Sequence, residues 1–139
     1  MKTIPGAPST VKTAFASQNV TRVLYGDHRV SDSVLRATLD QIAFVLKSDV
    51  ILTSGDRQHV VNANRKSHHL KGRAADFYVK GMSLSEAYER LKELPFLQNG
   101  FQLIYHSEET VSPHLHLGRY LDRRNSSFIV DRGSILPLR

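Results

Sequence analysis

Along this chain the spacing of apolar positions changes period several times, and each change predicts an element. From Ser31, the stretch SDSVLRATLDQIAFVLKS sets Val34, Leu35, Leu39, Ile42, Ala43, Val45 and Leu46 near the spacing of one helical face. This predicts the longest helix. Ser31 or Ser33 is the expected cap, because a hydroxyl there accepts from a backbone N–H that the helix leaves without a partner. DVILTSG, Asp49 to Gly55, is a β-branched run closed by a glycine and predicts a strand. RAADFYV, Arg73 to Val79, predicts another. The polar, irregular DRQHVVNANRKSHHLKG between them predicts a long loop, and such loops inside compact domains often carry function.

SLSEAYERLKEL, Ser83 to Leu94, reads as an amphipathic helix, with Ser83 and Glu86 in capping-box spacing and Pro95 just beyond it. FQLIYH, Phe101 to His106, predicts a strand, SEETVSP a turn, and the alternating HLHLGRY, His114 to Tyr120, a further strand. The tail SSFIVDRGSILPL predicts a last strand or hairpin. The expected fold class is α+β, with helices packed on a small, largely antiparallel sheet. Residues 1–20 are expected to be an arm, or a short helix around Val11 to Ser17, and residues 21–139 a single domain.

Composition narrows the chemistry. The 139 residues suffice for one core, and 40% hydrophobic and 23% charged residues are the proportions of a folded domain. There is no cysteine, which excludes disulfides, thiol catalysis and zinc–thiolate sites. A metal site must then draw on His, Asp and Glu, and the seven histidines are a generous supply. The net charge of +6 favours polyanions, an acidic wall polymer among them. The basic residues are scattered apart from RYLDRR, Arg119 to Arg124, and none interleave with aromatics for base stacking, so specific nucleic-acid binding is not expected. The N-terminus has no continuous apolar region of a signal peptide, and no stretch approaches the ~20 apolar residues of a membrane span. Synthesis in the cytoplasm is therefore expected, with separate delivery to any outside target.

Residues two apart on a strand face the same side. His114 and His116 therefore share a face, and Asp76 shares one with Ala74 and Tyr78. If the two strands are neighbours, Asp76 meets both histidines, and His69, just before Gly72, can fold back to the same point. Two imidazoles and a carboxylate, with a fourth position for water, are the composition of a catalytic zinc site. The plainer alternative is a surface histidine pair, with Asp76 paired to an arginine such as Arg73 or Arg57. Asp76 needs some partner, because a half-buried strand carboxylate is costly alone.

The spacing Ser67-x-His69-x-x-Gly72-x-Ala74-x-Asp76 resembles the signature of the zinc D-alanyl-D-alanine carboxypeptidases and their L-alanyl-D-glutamate endopeptidase relatives, many of them phage endolysins. SGDR, Ser54 to Arg57, resembles that family's Ser-Gly-x-Arg element, and QLIYH with PHLHLGRY resembles its closing strands. The resemblance runs from about Asp49 to Tyr120. It implies a hedgehog/D,D-peptidase-like fold and a zinc ion held by His69, Asp76 and His116. It implies His114 as a catalytic histidine beside the metal, and Arg57 as a catalytic cation for the scissile carbonyl or a substrate carboxylate. The implied activity is zinc-dependent hydrolysis of peptidoglycan stem peptides, of D,D-carboxypeptidase or L-alanyl-D-glutamate endopeptidase type. The absence of a signal-peptide pattern favours a phage lysis or virion-associated enzyme over a secreted housekeeping one, and a monomer is the favoured state.

There is one departure. Many relatives carry an acidic residue shortly before the last ligand, and here Ser112 and Pro113 stand in that region. The general base is left among His114, His106, Glu108 and Glu109. The alternative is a catalytically weak zinc-containing cell-wall-binding module, as hedgehog domains keep such a metal in a binding role. A basic nucleic-acid-binding domain is a third reading, and its binding would weaken with salt and survive a chelator. His-Glu-x-x-His is absent, which excludes a thermolysin-like arrangement.

Overall fold

The computed structural model describes residues 20–56 and 72–133. The expectations for an arm or short helix over residues 1–20, all but Val20, and for Arg57 and His69, fall outside them. The elements are β1 (Val23–Leu24), α1 (Ser33–Leu46), β2 (Val50–Ser54), β3 (Ala74–Val79) and α2 (Leu84–Leu91). A 3-10 turn (Pro95–Leu97), β4 (Phe101–His106), β5 (His114–Arg119) and β6 (Ser127–Asp131) follow.

The strands form one six-stranded sheet in the order β1-β2-β3-β5-β4-β6. The inner pairings β2–β3, β3–β5 and β5–β4 are antiparallel. Both edge pairings, β1–β2 and β4–β6, are parallel, so the sheet is mixed within the expected α+β class. The reasons lie in the connections. β1 reaches β2 through α1, and a helical crossover returns the chain in the same direction. After β5 the chain passes the start of β4, where Tyr120 N–H donates to Gly100 O (2.8 Å) and Gly100 N–H to Asn125 O (2.7 Å). β6 thus begins level with the start of β4 and runs alongside it. The predicted last strand is present; it is this parallel edge strand.

Helix α1 is capped by Asp32, in place of the expected Ser31 or Ser33. Its carboxylate accepts from Leu35 N–H at 2.8 Å, while Ser31 gives its own N–H to Asp56. The helix buries Leu35, Leu39, Ile42, Ala43 and Leu46. Val34 and Val45 were expected on that face but are 46% and 37% exposed, so the buried stripe is narrower than the sequence pattern. In α2 the Ser83 hydroxyl accepts from Glu86 N–H at 3.1 Å, as its spacing predicted, and Ala87, Tyr88 and Leu91 turn inward.

These helix residues pack with Val50, Leu52, Ala75, Phe77, Val79, Leu103, Tyr105, Leu115 and Leu117 in one core. Side chains such as Phe77 and Leu115 are fully buried there, each stabilising the fold by about 1.5–3 kcal/mol. Both helices therefore lie on one face of the sheet. By strand alternation, Asp76, His106, His114 and His116 project from the other.

Candidate active site

Register brings the polar side chains together. Asp76 on β3 stands opposite His116 on β5, and His114 on β5 stands opposite His106 on β4. His106 in turn stands opposite Asp131 on β6. The condition set by the sequence, that β3 and β5 be neighbours, is met.

Asp76 is 5% exposed, and its two oxygens are divided between two imidazoles. His116 Nδ1 lies 3.0 Å from Oδ1, and His114 Nε2 lies 3.5 Å from Oδ2. Arg73, one of the arginines considered as a partner, instead donates from Nε to Arg119 O at 3.3 Å. His114 Nδ1 lies 2.7 Å from the carbonyl oxygen of Ser112. A carbonyl only accepts, so Nδ1 carries a proton, and Nε2 is directed toward Asp76 Oδ2. An imidazole nitrogen facing a carboxylate oxygen is an arrangement that a shared cation or proton satisfies. This carboxylate and imidazole set fits zinc. Among the described residues no group of three or more His, Asp or Glu side chains is spaced to hold a metal by itself, and the third expected ligand, His69, lies outside them.

The chain is fixed on either side of residues 57–71, at Gly55–Asp56 and at Gly72. Asp56 N–H donates to Arg29 O at 2.7 Å, and the Asp56 carboxylate accepts from Ser31 N–H at 3.1 Å. A Cβ at Gly55 would stand 2.3 Å from Arg29 O, so only glycine allows this approach. Gly72 has φ +73, in the left-handed region, and a Cβ there would stand 2.7 Å from Ser31 Oγ.

The candidate bases separate by face. The Glu108 carboxylate accepts from the Tyr105 hydroxyl, on the core side where the Tyr105 ring lies 5.7 Å from that of Tyr88. That hydrogen bond holds the Glu108 carboxyl below its ordinary range and pushes the Tyr105 hydroxyl up. Glu109 is exposed in the turn. His106 and His114 lie on the Asp76 face, their rings stacked with centroids 4.5 Å apart.

Asp131 is the site residue that the sequence did not announce. Its Oδ2 lies 2.7 Å from His106 Nδ1, and its Oδ1 accepts from Gly133 N–H at 2.9 Å. The Gly133 N–H first, then His106, hold its carboxyl below the ordinary range. No local signal marks it, because its nearness to His106 depends on the parallel pairing of β6 with β4.

A family model described as Peptidase M15 matches residues 14–112. The matched span includes Arg57, His69 and Asp76 and ends before His114. No curated protein and no solved structure gives a match.

Proposed function

The chain belongs to the peptidase M15 family, and from that premise we propose that it is a zinc-dependent peptidase acting on the peptide stems of bacterial peptidoglycan. The observation that carries this reading is the buried Asp76 with one histidine on each of its oxygens, on the sheet face opposite the helices. The signature from Ser67 to Asp76 supports the same reading, and with it a hedgehog/D,D-peptidase type of fold.

His69, Asp76 and His116 would hold the zinc. When bound, zinc would lower the pKa of a coordinated water to about 7 and would polarise a carbonyl. The chain's own groups supply the rest. Arg57 offers a planar two-pronged cation for the scissile carbonyl or a stem carboxylate. His114, its Nδ1–H engaged by Ser112 O, keeps Nε2 for taking up a proton and returning it to the leaving amine. The net positive charge favours approach to an acidic wall.

A second assignment of the ligands has its own observation. His114 Nε2 faces Asp76 Oδ2, while His116 gives its Nδ1 side to Asp76 Oδ1. In that assignment His114 is the ligand and His116 orients the carboxylate. Zinc content of His114→Ala and His116→Ala separates the two, since the true ligand loses the metal and the other variant keeps most of it.

The test is release of amines from purified peptidoglycan, with zinc measured on the same sample. Native, chelated and zinc-restored protein are compared with His116→Ala. About one zinc per chain, with hydrolysis lost on chelation and regained with zinc, is the expected result. The residues released distinguish carboxypeptidase from endopeptidase cleavage. Stoichiometric zinc without hydrolysis of any wall type would replace the peptidase with a wall-binding module, the reading favoured by the absent acid before His114. Absence of zinc would overturn both.

A further inference from the structure

Three strands cooperate in holding one ring. Asp131 on β6, His106 on β4 and His114 on β5 form a row across the sheet, set by the register pairs His106–Asp131 and His106–His114. Asp131 Oδ2 lies 2.7 Å from His106 Nδ1. A carboxylate kept ionised by Gly133 N–H can only accept, so this contact fixes the His106 ring with Nδ1–H toward β6. The His106 ring then lies against His114 at 4.5 Å between centroids and 30° between planes. His114 is thus held by its edge through Ser112 O and by its face through His106, and both restraints direct Nε2 at Asp76 Oδ2.

The far end of this row is itself anchored. Gly133 has φ +83, and a Cβ there would stand 2.8 Å from Glu109 O. Ser107 N–H donates to Asp131 O at 2.9 Å. The end of β6 is therefore tied to the turn that follows His106, which keeps the Asp131 carboxylate in reach of the imidazole.

We infer that His106 and Asp131 are positioning residues, a clamp that holds the His114 ring in the orientation the site requires. The inference deepens the peptidase reading and, for its effect on turnover, rests on it. Neither residue needs to touch substrate. Small displacements of a reacting group carry large rate penalties, about a hundredfold for 1 Å. Asp131 on the edge strand thus reaches this ring through His106, and no carboxylate at Ser112 or Pro113 is there to orient it.

The experiment has two readouts. The first is the tautomer of His114, read at one fixed pH from long-range nitrogen–proton correlations in zinc-free protein. Wild type is expected to show a single Nδ1–H form, and His106→Ala and Asp131→Ala a mixture. The second is hydrolysis by the zinc-loaded enzyme. His106→Ala is expected to lower kcat about ten- to a hundredfold with KM and zinc content near wild type. His106→Phe, which keeps a ring against His114, is expected to recover most of that loss. Thermal melts confirm that each variant is folded, and a variant that fails to fold is replaced by Asp131→Ser. If wild type hydrolyses nothing, the peptidase reading falls and the tautomer readout still decides the clamp. An unchanged His114 tautomer in both alanine variants would overturn it, as would a kcat that ignores the ring at position 106.

Discussion

Arg119 and Asp32 meet in a two-pronged ion pair that ties the end of β5 to the start of α1. Arg119 Nε lies 2.8 Å from Asp32 Oδ2, and a terminal guanidinium nitrogen lies 2.7 Å from Oδ1. The same carboxylate caps α1 through Leu35 N–H. One side chain therefore fixes a helix start and the strand that carries His114 and His116. Asp32→Ala removes the cap and leaves a partly buried guanidinium without its partner. A loss of about 2–3 kcal/mol is expected, measured by urea unfolding at neutral pH.

The same pair predicts a pH dependence. Arg119 first, then Leu35 N–H, hold the Asp32 carboxyl below its ordinary range. A depressed folded-state pKa adds stability that is complete above the unfolded value, about 3.9, and is lost as pH falls through the folded one. The stability gap between wild type and Asp32→Asn should be widest at neutral pH and shrink as pH drops below about 4. A gap that stays constant across that range would count against the ion pair as its source.

Zinc should stabilise the fold through Asp76. Zinc at a hundred times its dissociation constant adds about 2.7 kcal/mol to a protein that binds it only when folded. Thermal melts with and without zinc should differ by several degrees for wild type. They should coincide for Asp76→Ala, since loss of the carboxylate removes an expected ligand.

Glu108 faces the core side through Tyr105, so it should be dispensable for turnover. Glu108→Gln is expected to change kcat by less than about twofold and to cost no more than about 1 kcal/mol of stability, the scale of one exposed hydrogen bond. A large fall in kcat with an intact fold would make Glu108 the base after all.

Gly55→Ala tests the anchoring of the chain just before Arg57. The new Cβ would meet Arg29 O, a backbone atom that has no rotamer by which to move aside. A destabilisation of about 1–3 kcal/mol is expected. Zinc affinity should fall with it, because the strand end leading to Arg57 and His69 must shift. Gly26→Ala is the control for steric clash, as nothing lies within 4 Å of its Cβ direction, although its φ of +58 carries its own strain.

What the sequence determined by itself was the local part. Apolar spacing and β-branched or alternating runs located α1, α2 and the inner strands, because those elements bury one face and their pattern records it. The same alternation put His114 with His116 on one side of β5 and Asp76 on the side of β3 opposite Phe77. Tertiary structure decided whatever depends on pairing between distant segments. β1 has two residues, too few to show a period. The parallel edge strand β6 arises from where the 120–126 connection crosses the start of β4. Asp32 outcompetes Ser31 and Ser33 as the cap because Arg119, 87 residues away, holds its carboxylate in place. Asp131 reaches His106 only through strand order. A sequence records which face of an element must be buried, because burial acts on each residue locally. It does not record which strand lies beside which, because hydrogen-bonded pairing joins backbone groups that every residue shares.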